Sequence, residues 1–501
     1  MKTTIINAKI YTANPDMPYA KSISFEDGYF TEVSTENLNG DTLLDAENKL
    51  IIPALLDIHM HPIWIAENIN KLACVPPKIN SIEDLKQGVK HIRATRGNGK
   101  WILGWGFDEG KMKENRICTK EDLDKACFDC PVIIERTCNH ICVCNTSALL
   151  ALNINPANHN GILKEKEKFD TFNRIPPYSK DELTHNIAKL SNDLFSKGIT
   201  TISEMLGTPD TLRFYDEAMR TSLGQRLAFA YDYHQIKNTT HLPSPRNSRI
   251  RIQGVKILSD GSVSGQTAWC STPYLNTDNY GNTTITDEEF IDAQNIAKRH
   301  SIQLIVHAMG DKAIEKVIRL KADDWLEDMP SLRIEHYAIV KDHLLEETKK
   351  KNIAVVSQPI FVFAEIESYL KNLGSSFKDY CYPYKKILEN KIQLAFSSDA
   401  PATSWADPVN PFVAMKSACQ RQSYSGYDTG FEECIPITTA IDLYTREASK
   451  VLGVESLGQI KKGYLADFIV LDRDILTDQT TLQNTQVLET YMSGKQCYKR
   501  K

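Results

Sequence analysis

The sequence has no long apolar run, no strong excess of one charge and no low-complexity tract. No apolar stretch approaches the roughly 20 residues of a membrane-spanning helix, and residues 1–7 are typical of a strand rather than of a signal peptide. The net charge of −5 says little about partners, but the lack of a long basic run argues against nucleic acid. We therefore expect a globular protein of the cytoplasm that binds neither membranes nor nucleic acid.

Cysteine is unevenly distributed. Five of the 12 cysteines fall within a short part of the chain: Cys127, Cys130, Cys138, Cys142 and Cys144. Their spacing superficially resembles a zinc site. However, Cys142 and Cys144 alternate within an apolar run, which is typical of buried side chains on a strand. Buried free thiols in a reducing cytosol explain the group more simply.

Six residues that can bind a metal stand at or near the ends of short apolar runs. These runs are too short and too apolar for surface helices, and they are typical of buried parallel strands. In such a strand, a His-x-His pair directs both imidazoles to the same side. The carboxyl ends of the strands of a (β/α)8 barrel meet at one mouth, so the six residues would converge there. They are His59, His61, Lys256, His307, His336 and Asp399.

Eight strands can be counted, with helical patterns between them. Residues 181–197 place Ile187, Leu190 and Leu194 on one stripe, and Thr286 with Glu289 forms a capping box that predicts the start of a second helix. The predicted strands are 51–59, 198–205, 226–233, 251–258, 302–308, 332–336, 353–358 and 392–398.

Each of these residues also has a structural explanation. Lys256 could pair with Asp260 or with a nearby glutamate, and Asp399 could cap a turn. A lysine in the middle of a buried strand costs several kcal/mol unless it is neutralised, paired or modified. A shared metal centre explains all six residues with one cause, whereas the structural explanation needs a separate cause for each residue.

The motifs around these residues resemble those of the metal-dependent amidohydrolase superfamily. Within it, they are similar to the YtcJ-like or amidohydrolase 3 branch, which includes AepA-like proteins and N-substituted formamide deformylases. The resemblance covers nearly the whole chain. The motifs that carry it are residues 53–61, 101–108, 255–261, 307–313, 333–336, 398–401 and 458–472.

The resemblance implies an α/β fold built around a distorted (β/α)8 TIM barrel. A small β-sandwich would form from both chain ends, residues 1–50 and 455–501. The barrel would occupy residues 51–454, with an inserted cap region at about 75–180. Strand-forming residues at both ends of the chain agree with this division.

The resemblance also implies a chemistry. His59 and His61 would hold one divalent ion with Asp399, and His307 and His336 would hold a second. Lys256 would bridge them as a carbamate formed with CO2. One or two Zn²⁺ ions would suit these ligands. A metal-activated hydroxide would then hydrolyse a non-peptide C–N bond of a small molecule, an amide, formamide or cyclic amide, with Asp399 as the proton shuttle.

Residues that contact the substrate are harder to predict. Trp105, His140 and Asp260 are candidates, although Trp105 could equally pack within the cap. The glycine that relatives often have before the histidine is replaced here, since the chain has Cys138 and Asn139 before His140. The identity of the substrate is therefore not carried over from any relative.

Other functions and assemblies stay open at this point. A lyase or isomerase could use the same metal site, because barrels of this kind host several chemistries. A non-catalytic regulatory protein could also retain the fold, although the complete ligand set argues against it. A homodimer is one option suggested by the superfamily.

Overall fold

The computed structural model describes residues 1–96, 100–136, 141–172, 175, 179–403 and 405–501. The chain divides into two compact units. The first is Met1–Pro62 with Ile187–Pro401 and Val409–Lys501, and the second is Ile63–Asn186 with Ala402–Pro408. Among the described residues, no helix combines the length and apolar character needed to cross a membrane. The domain boundaries that the sequence suggests stay predictions.

The first unit contains an eight-stranded sheet in which every neighbouring pair is parallel. The strands follow one another in sequence order, as in a (β/α)8 barrel. Two backbone hydrogen bonds link the chain just beyond the first strand to the chain just beyond the eighth, from Asp399 N to His59 O and from His61 N to Ala400 O. The predicted α/β barrel is confirmed. Its strands are Leu55–Asp57, Ile199–Gly207, Arg226–Asp232, Ile250–Leu258, Gln303–Ala308, Leu332–His336, Ala354–Ser357 and Leu394–Phe396.

The first barrel strand is much shorter than the predicted strand 51–59. The apolar run is divided at Ala54, and its first half, Leu50–Pro53, pairs with Phe468–Leu471 in a different sheet. Only Leu55–Asp57 pairs with the second barrel strand. An apolar run shows that a segment is buried but not which sheet it joins, so the prediction of one continuous strand was wrong.

Helices connect the barrel strands and continue beyond the last one. The predicted helix 181–197 is Lys180–Ser196, with Ile187, Leu190 and Leu194 fully buried, and Thr286 and Glu289 form the predicted capping box. The helices from the second barrel strand onward are Pro209–Thr221, Tyr233–Ile236, Asp287–Arg299, Asp311–Leu320, Asp342–Lys350, Ile360–Ala364, Ile366–Leu373, Tyr384–Glu389, Pro411–Gln420, Ile437–Tyr444 and Arg446–Leu452. Short 3-10 helices are Ser375–Asp379, Phe431–Glu433 and Leu482–Asn484.

Two further sheets of the first unit are built from both chain ends, as the predicted β-sandwich requires. They share an apolar core that includes Ile23, Phe25, Ile51 and Phe468. The four-stranded sheet has the order Tyr29–Ser34, Ser22–Glu26, Thr3–Ile6, Thr42–Asp45. The six-stranded sheet has the order Lys495–Lys499, Val487–Met492, Phe468–Leu471, Leu50–Pro53, Lys9–Tyr11, Tyr19–Ala20.

The second unit is inserted in the sequence between the first and second barrel strands. It has its own sheet, in the order Ile162–Lys164, Ile141–Cys144, Val132–Arg136, Ile102–Phe107, Leu72–Ala73. Buried side chains such as Leu85, Val132 and Ile134 form its core. Its helices are Pro62–Asn68, Ile82–Arg96, Lys120–Ala126, Thr146–Ala151 and Glu165–Phe172, with a 3-10 helix at Glu109–Lys111.

Candidate metal centre

The two histidines after the first barrel strand and the aspartate after the eighth lie together. His59 Nε2 is 3.2 Å from Asp399 Oδ1, and His61 Nε2 is 3.1 Å from the same oxygen. One ligand atom from each of the three residues lies within 4.8 Å of the others, and all three residues are buried. The backbone hydrogen bonds from Asp399 N to His59 O (2.7 Å) and from His61 N to Ala400 O (2.8 Å) fix this arrangement. The two strand ends thus bring two imidazoles and a carboxylate to one point.

The charges of this group suit a cation. Burial acts to raise the pKa of Asp399, but its interactions with His59 and His61 outweigh burial and hold the pKa well below its usual range. Burial acts to lower the pKa of His61, but the carboxylates of Asp399 and Glu204 outweigh it and raise the pKa to about 9. A proton on His61 therefore balances the carboxylate when no metal is bound, and a bound cation would replace that proton.

Lys256 lies on the fourth barrel strand, where its neighbours in the sheet are Asp232 and Ile305. Its side chain is 1% exposed, and its Nζ makes no hydrogen bond to any described residue. Burial is the main influence on its pKa and lowers it to about 8, against the opposing effect of Glu335 and Asp399. The sequence left open that Lys256 pairs with Asp260 or with a glutamate. Among the described residues, Lys256 forms no hydrogen bond or ion pair with any of these carboxylates.

His307 is the next-to-last residue of the fifth barrel strand and His336 ends the sixth, and their ring centroids are 4.4 Å apart. Burial is the main cause of a lowered pKa in both rings, to about 4 for His307 and well below the usual range for His336. Both imidazoles are therefore neutral at physiological pH, as metal binding requires. They lie beside the group of His59, His61 and Asp399, since the His59 and His336 ring centroids are 5.2 Å apart.

Hydrogen bonds select the nitrogen that each of these two rings can offer. His307 Nε2 is 2.9 Å from the carbonyl oxygen of Gly261, which can only accept, so the lone pair is on Nδ1. His336 Nδ1 is 2.7 Å from Gln358 Oε1, and the amide nitrogen of Gln358 donates to Ser397 Oγ at 2.9 Å. The lone pair of His336 is therefore on Nε2.

His336 departs from strand geometry. Its φ is 73° and that of Tyr337 is 52°, so both lie in the left-handed region, which non-glycine residues seldom adopt. In a regular strand the side chains of Glu335 and His336 would project to opposite faces. Here both contact residues of the centre, because the backbone turns at His336. Strain of this kind is concentrated at functional sites.

Glu335 belongs to this centre, although it was not among the predicted site residues. Its Oε2 is 2.5 Å from His59 Nδ1, and its Oε1 accepts a hydrogen bond from Arg333 Nε at 2.6 Å. Burial acts to raise the pKa of Glu335, but Arg333 and His59 outweigh it and hold the pKa well below its usual range. A signal was present in the sequence, because Arg333 and Glu335 have opposite charges and share one face of a buried strand.

The donor set fits a divalent metal. It combines four imidazoles, an ionised carboxylate and a buried amine without a hydrogen-bond partner among the described residues, and imidazole nitrogen with carboxylate oxygen suits Zn²⁺ and related ions. A family model described as "Amidohydrolase family" matches residues 42–498. The chain belongs to the amidohydrolase family. As an amidohydrolase, it is a hydrolase that uses a divalent metal and acts on a small-molecule substrate.

Known amidohydrolases and related proteins match almost the full length of the chain. The Bacillus subtilis protein named as the amidohydrolase YtcJ is 25% identical, over 90% of this chain and 89% of its own. N-substituted formamide deformylase of Arthrobacter pascens is 22% identical, over 99% of this chain and 98% of its own. The crystal structure of an uncharacterized metal-dependent hydrolase from Pyrococcus horikoshii has a TM-score of 0.77 and 25% identity, over 96% of this chain and 99% of its own.

Asp260, a predicted substrate contact of this amidohydrolase, is fully engaged with the backbone. Its Oδ1 accepts from Met309 N at 3.0 Å, and its Oδ2 accepts from Gly310 N at 2.8 Å and from Trp269 N at 2.9 Å. Burial is the main influence on its pKa and raises it to about 7, against these hydrogen bonds. Asp260 thereby joins the loop after the fourth strand to the loop after the fifth, and its role in substrate binding stays a prediction.

Asp260→Asn is expected to lower the free energy of unfolding by about 1–3 kcal/mol, measured by urea denaturation. Either orientation of the new amide would place its NH2 group against a backbone N–H, because both oxygens of Asp260 now accept. Asp216→Asn is the matched control, since Oδ1 of Asp216 accepts from both Arg246 N (2.8 Å) and Asn247 N (3.0 Å), while Oδ2 accepts no hydrogen bond from a described residue. Equal losses in the two variants would contradict this explanation.

The other two predicted substrate contacts fall in the inserted part of the amidohydrolase. Trp105 is half-buried on strand Ile102–Phe107 of the second unit, and its carbonyl oxygen accepts from Cys74 N at 2.9 Å. His140 lies outside the described residues. The substrate-binding roles of both stay predictions.

The described cysteines of this region are buried and form no disulfide with one another, as predicted: Cys127, Cys130, Cys142 and Cys144. Cys138 lies outside the described residues. Asp129 lies beside Cys127 and Cys130, but its carboxylate is paired with Arg93 through two hydrogen bonds, of 2.7 and 2.5 Å. Because the Asp129 carboxylate is already bound to Arg93, it is less available as a zinc ligand, which argues against a zinc site here.

Proposed function

We propose that this amidohydrolase hydrolyses a C–N bond other than a peptide bond, in an amide, a formamide or a cyclic amide. The observation that carries the proposal is the convergence of His59, His61 and Asp399 within 4.8 Å of one another at the strand ends. The similarity to N-substituted formamide deformylase supports the formamide class among these substrates.

The proposed ligands form two groups. His59, His61 and Asp399 would hold one divalent ion, and His307 and His336 would hold a second. Zn²⁺ is the proposed metal, because these ligands are nitrogens and a carboxylate oxygen. The hydrogen bonds of the second pair leave lone pairs on His307 Nδ1 and His336 Nε2 that can bind a metal.

Lys256 is proposed to carry a carbamate that bridges the two groups. The neutral amine adds to CO2, so that a bond forms between Nζ and carbon and one proton is released. The resulting carboxylate can bind two cations. Two observations support this: Nζ is buried without a hydrogen-bond partner among the described residues, and its pKa is lowered to about 8, so that part of the amine is neutral near pH 8.

Asp399 is proposed to move the proton in the reaction. A bound divalent ion lowers the pKa of a water molecule from about 16 to about 7 and polarises the substrate carbonyl. Asp399 is ionised and lies within 3.2 Å of both histidine nitrogens, so its carboxylate is placed to accept the proton of the attacking water. It then returns this proton to the nitrogen that leaves as the amine.

A panel of N-formyl amines, N-acyl amines and cyclic amides would test the proposal, with free amine as the readout. We expect at least one class to release amine at a rate that falls when the metal is removed by chelation and recovers when it is added back. An isomerase would produce no amine and no gain of water in the product mass. Failure of every class with fully metal-loaded protein would contradict amide hydrolysis.

Some predictions are not tested by the structure. A homodimer remains a prediction from the resemblance, and a cytoplasmic location remains a prediction from the sequence. Size-exclusion chromatography with light scattering would determine the first of these.

A further inference from the structure

An ion pair lies inside the barrel, on the strand that also carries His336. Arg333 and Glu335 have no exposed side-chain surface, and Arg333 Nε is 2.6 Å from Glu335 Oε1. A fully buried pair of charges is weak evidence for stability, because desolvation offsets most of the attraction. A role for this pair is therefore expected from the contacts of the side-chain atoms that do not join Arg333 to Glu335.

Both partners of the pair hold the segment that carries the first proposed ligand. Glu335 Oε2 is 2.5 Å from His59 Nδ1, and Arg333 Nη2 donates to the carbonyl oxygen of Ile58 at 3.0 Å. The ring of His59 and the backbone just before it are thus fixed together. This leaves His59 Nε2 facing Asp399 Oδ1 at 3.2 Å.

We propose that Glu335, held by Arg333, is a positioning residue that keeps the proton of His59 on Nδ1 and so presents the lone pair of Nε2 to the metal. This inference rests on the proposed ligand role of His59. A carboxylate can only accept hydrogen bonds, so His59 Nδ1 must donate the proton in its 2.5 Å contact with Glu335 Oε2. Partners of this kind fix the orientation and tautomer of metal-binding histidines.

Arg333 explains why a glutamine would not substitute for the glutamate. A glutamine at position 335 would give its one oxygen to Arg333 Nε, which can only donate. Its NH2 group would then face His59 Nδ1 and force that nitrogen to accept. A ring with a single proton would then carry that proton on Nε2, where it competes with the metal for the lone pair.

Glu335→Gln tests this step with two readouts. With ¹⁵N-labelled histidine in the metal-free protein, at a pH where the ring is neutral, we expect the His59 signals to change from the Nδ1–H to the Nε2–H tautomer. The signals are assigned by their loss in His59→Asn. Affinity for Zn²⁺, measured by chelator competition, is expected to fall by about 10–100-fold. An unchanged tautomer would overturn the proposal.

A double variant separates positioning from general damage to the barrel. In Arg333→Met with Glu335→Gln, the amide can turn its oxygen toward His59, so we expect the Nδ1–H tautomer and part of the Zn²⁺ affinity to return. No recovery in a folded double variant would overturn the role of Arg333. If the double variant does not fold, the tautomer of His59 in Glu335→Gln alone decides whether Glu335 positions the ring.

Glu204→Gln is the matched control. Glu204 Oε1 is 3.8 Å from His61 Nδ1, too far for a hydrogen bond, and Oε2 accepts from Tyr215 Oη at 2.6 Å. This variant is expected to leave the tautomer of His59 unchanged. If the unaltered protein binds no Zn²⁺, the proposed function fails, whereas the tautomer measurement still decides whether Glu335 sets the state of His59.

Discussion

Asparagine in place of Asp399 is expected to lower turnover by about 10²–10⁴-fold while the fold and most of the bound metal are retained. Asp399 Oδ1 lies 3.2 Å from His59 Nε2 and 3.1 Å from His61 Nε2, and an amide oxygen can occupy the same position. An amide does not accept and return a proton at neutral pH. The substitution therefore removes proton transfer and keeps an oxygen that can bind the metal.

The backbone at Asp399 makes asparagine a better test than alanine. The φ of Asp399 is 53°, in the left-handed region. Asparagine tolerates this conformation better than other residues apart from glycine, whereas alanine would add strain and remove the ligand oxygen as well. A loss of activity in Asp399→Asn can therefore be attributed to the side-chain chemistry.

The measurement compares turnover of the best substrate from the amide panel with metal content by elemental mass spectrometry. Asp216→Asn serves as the control, because Asp216 is a buried carboxylate whose hydrogen bonds, within the described part of the chain, come only from the backbone, from Arg246 N and Asn247 N. It is expected to retain turnover and metal. Unchanged turnover in Asp399→Asn would remove its role as proton carrier.

The barrel and the meeting of its strand ends could be predicted from the sequence because the signals are local. Each strand is a short apolar run, and His59, His61 and Asp399 follow such runs directly. The geometry of parallel strands then requires the strand ends to meet. The distances between these three residues agree with that reasoning, whereas the roles assigned to them remain proposals.

Features that depend on pairing across the fold could not be predicted in this way. Burial of the run that includes Leu50–Pro53 was evident, but its partner, Phe468–Leu471, lies at the far end of the chain. The contact between Glu335 and His59 likewise joins two distant strands. The turn at His336 depends on backbone dihedral angles, which the residue type does not reveal, since histidine seldom adopts a positive φ.

Replacing Lys256 with alanine is expected to reduce the bound metal from about two ions per chain to one or fewer, with a matching loss of turnover. The amine is buried without a hydrogen-bond partner among the described residues, so its removal breaks no observed hydrogen bond. If it serves only as a packed side chain, metal content should hardly change. If it carries the bridging carbamate, the variant loses a ligand shared by both ions.

The carbamate itself can be detected. Protein prepared with ¹³C-labelled bicarbonate is expected to show a carbamate carbon by NMR, and Lys256→Ala is expected to lack it. The alanine variant also leaves a cavity in place of the lysine chain. A small carboxylate such as acetate can enter this space and take the bridging position, so added acetate is expected to restore part of the metal content.

Lys316→Ala provides the matched control for this experiment. Lys316 is also buried, 5% exposed, but its Nζ is hydrogen-bonded to Thr283 Oγ1 at 3.2 Å and to the carbonyl oxygen of Ile285. Its removal is expected to cost stability, since these partners lose their donor, and to leave metal content and the carbamate signal unchanged. Full retention of two ions by Lys256→Ala without added carboxylate would contradict the bridge, because a carbamate that holds both ions cannot be removed without effect on either.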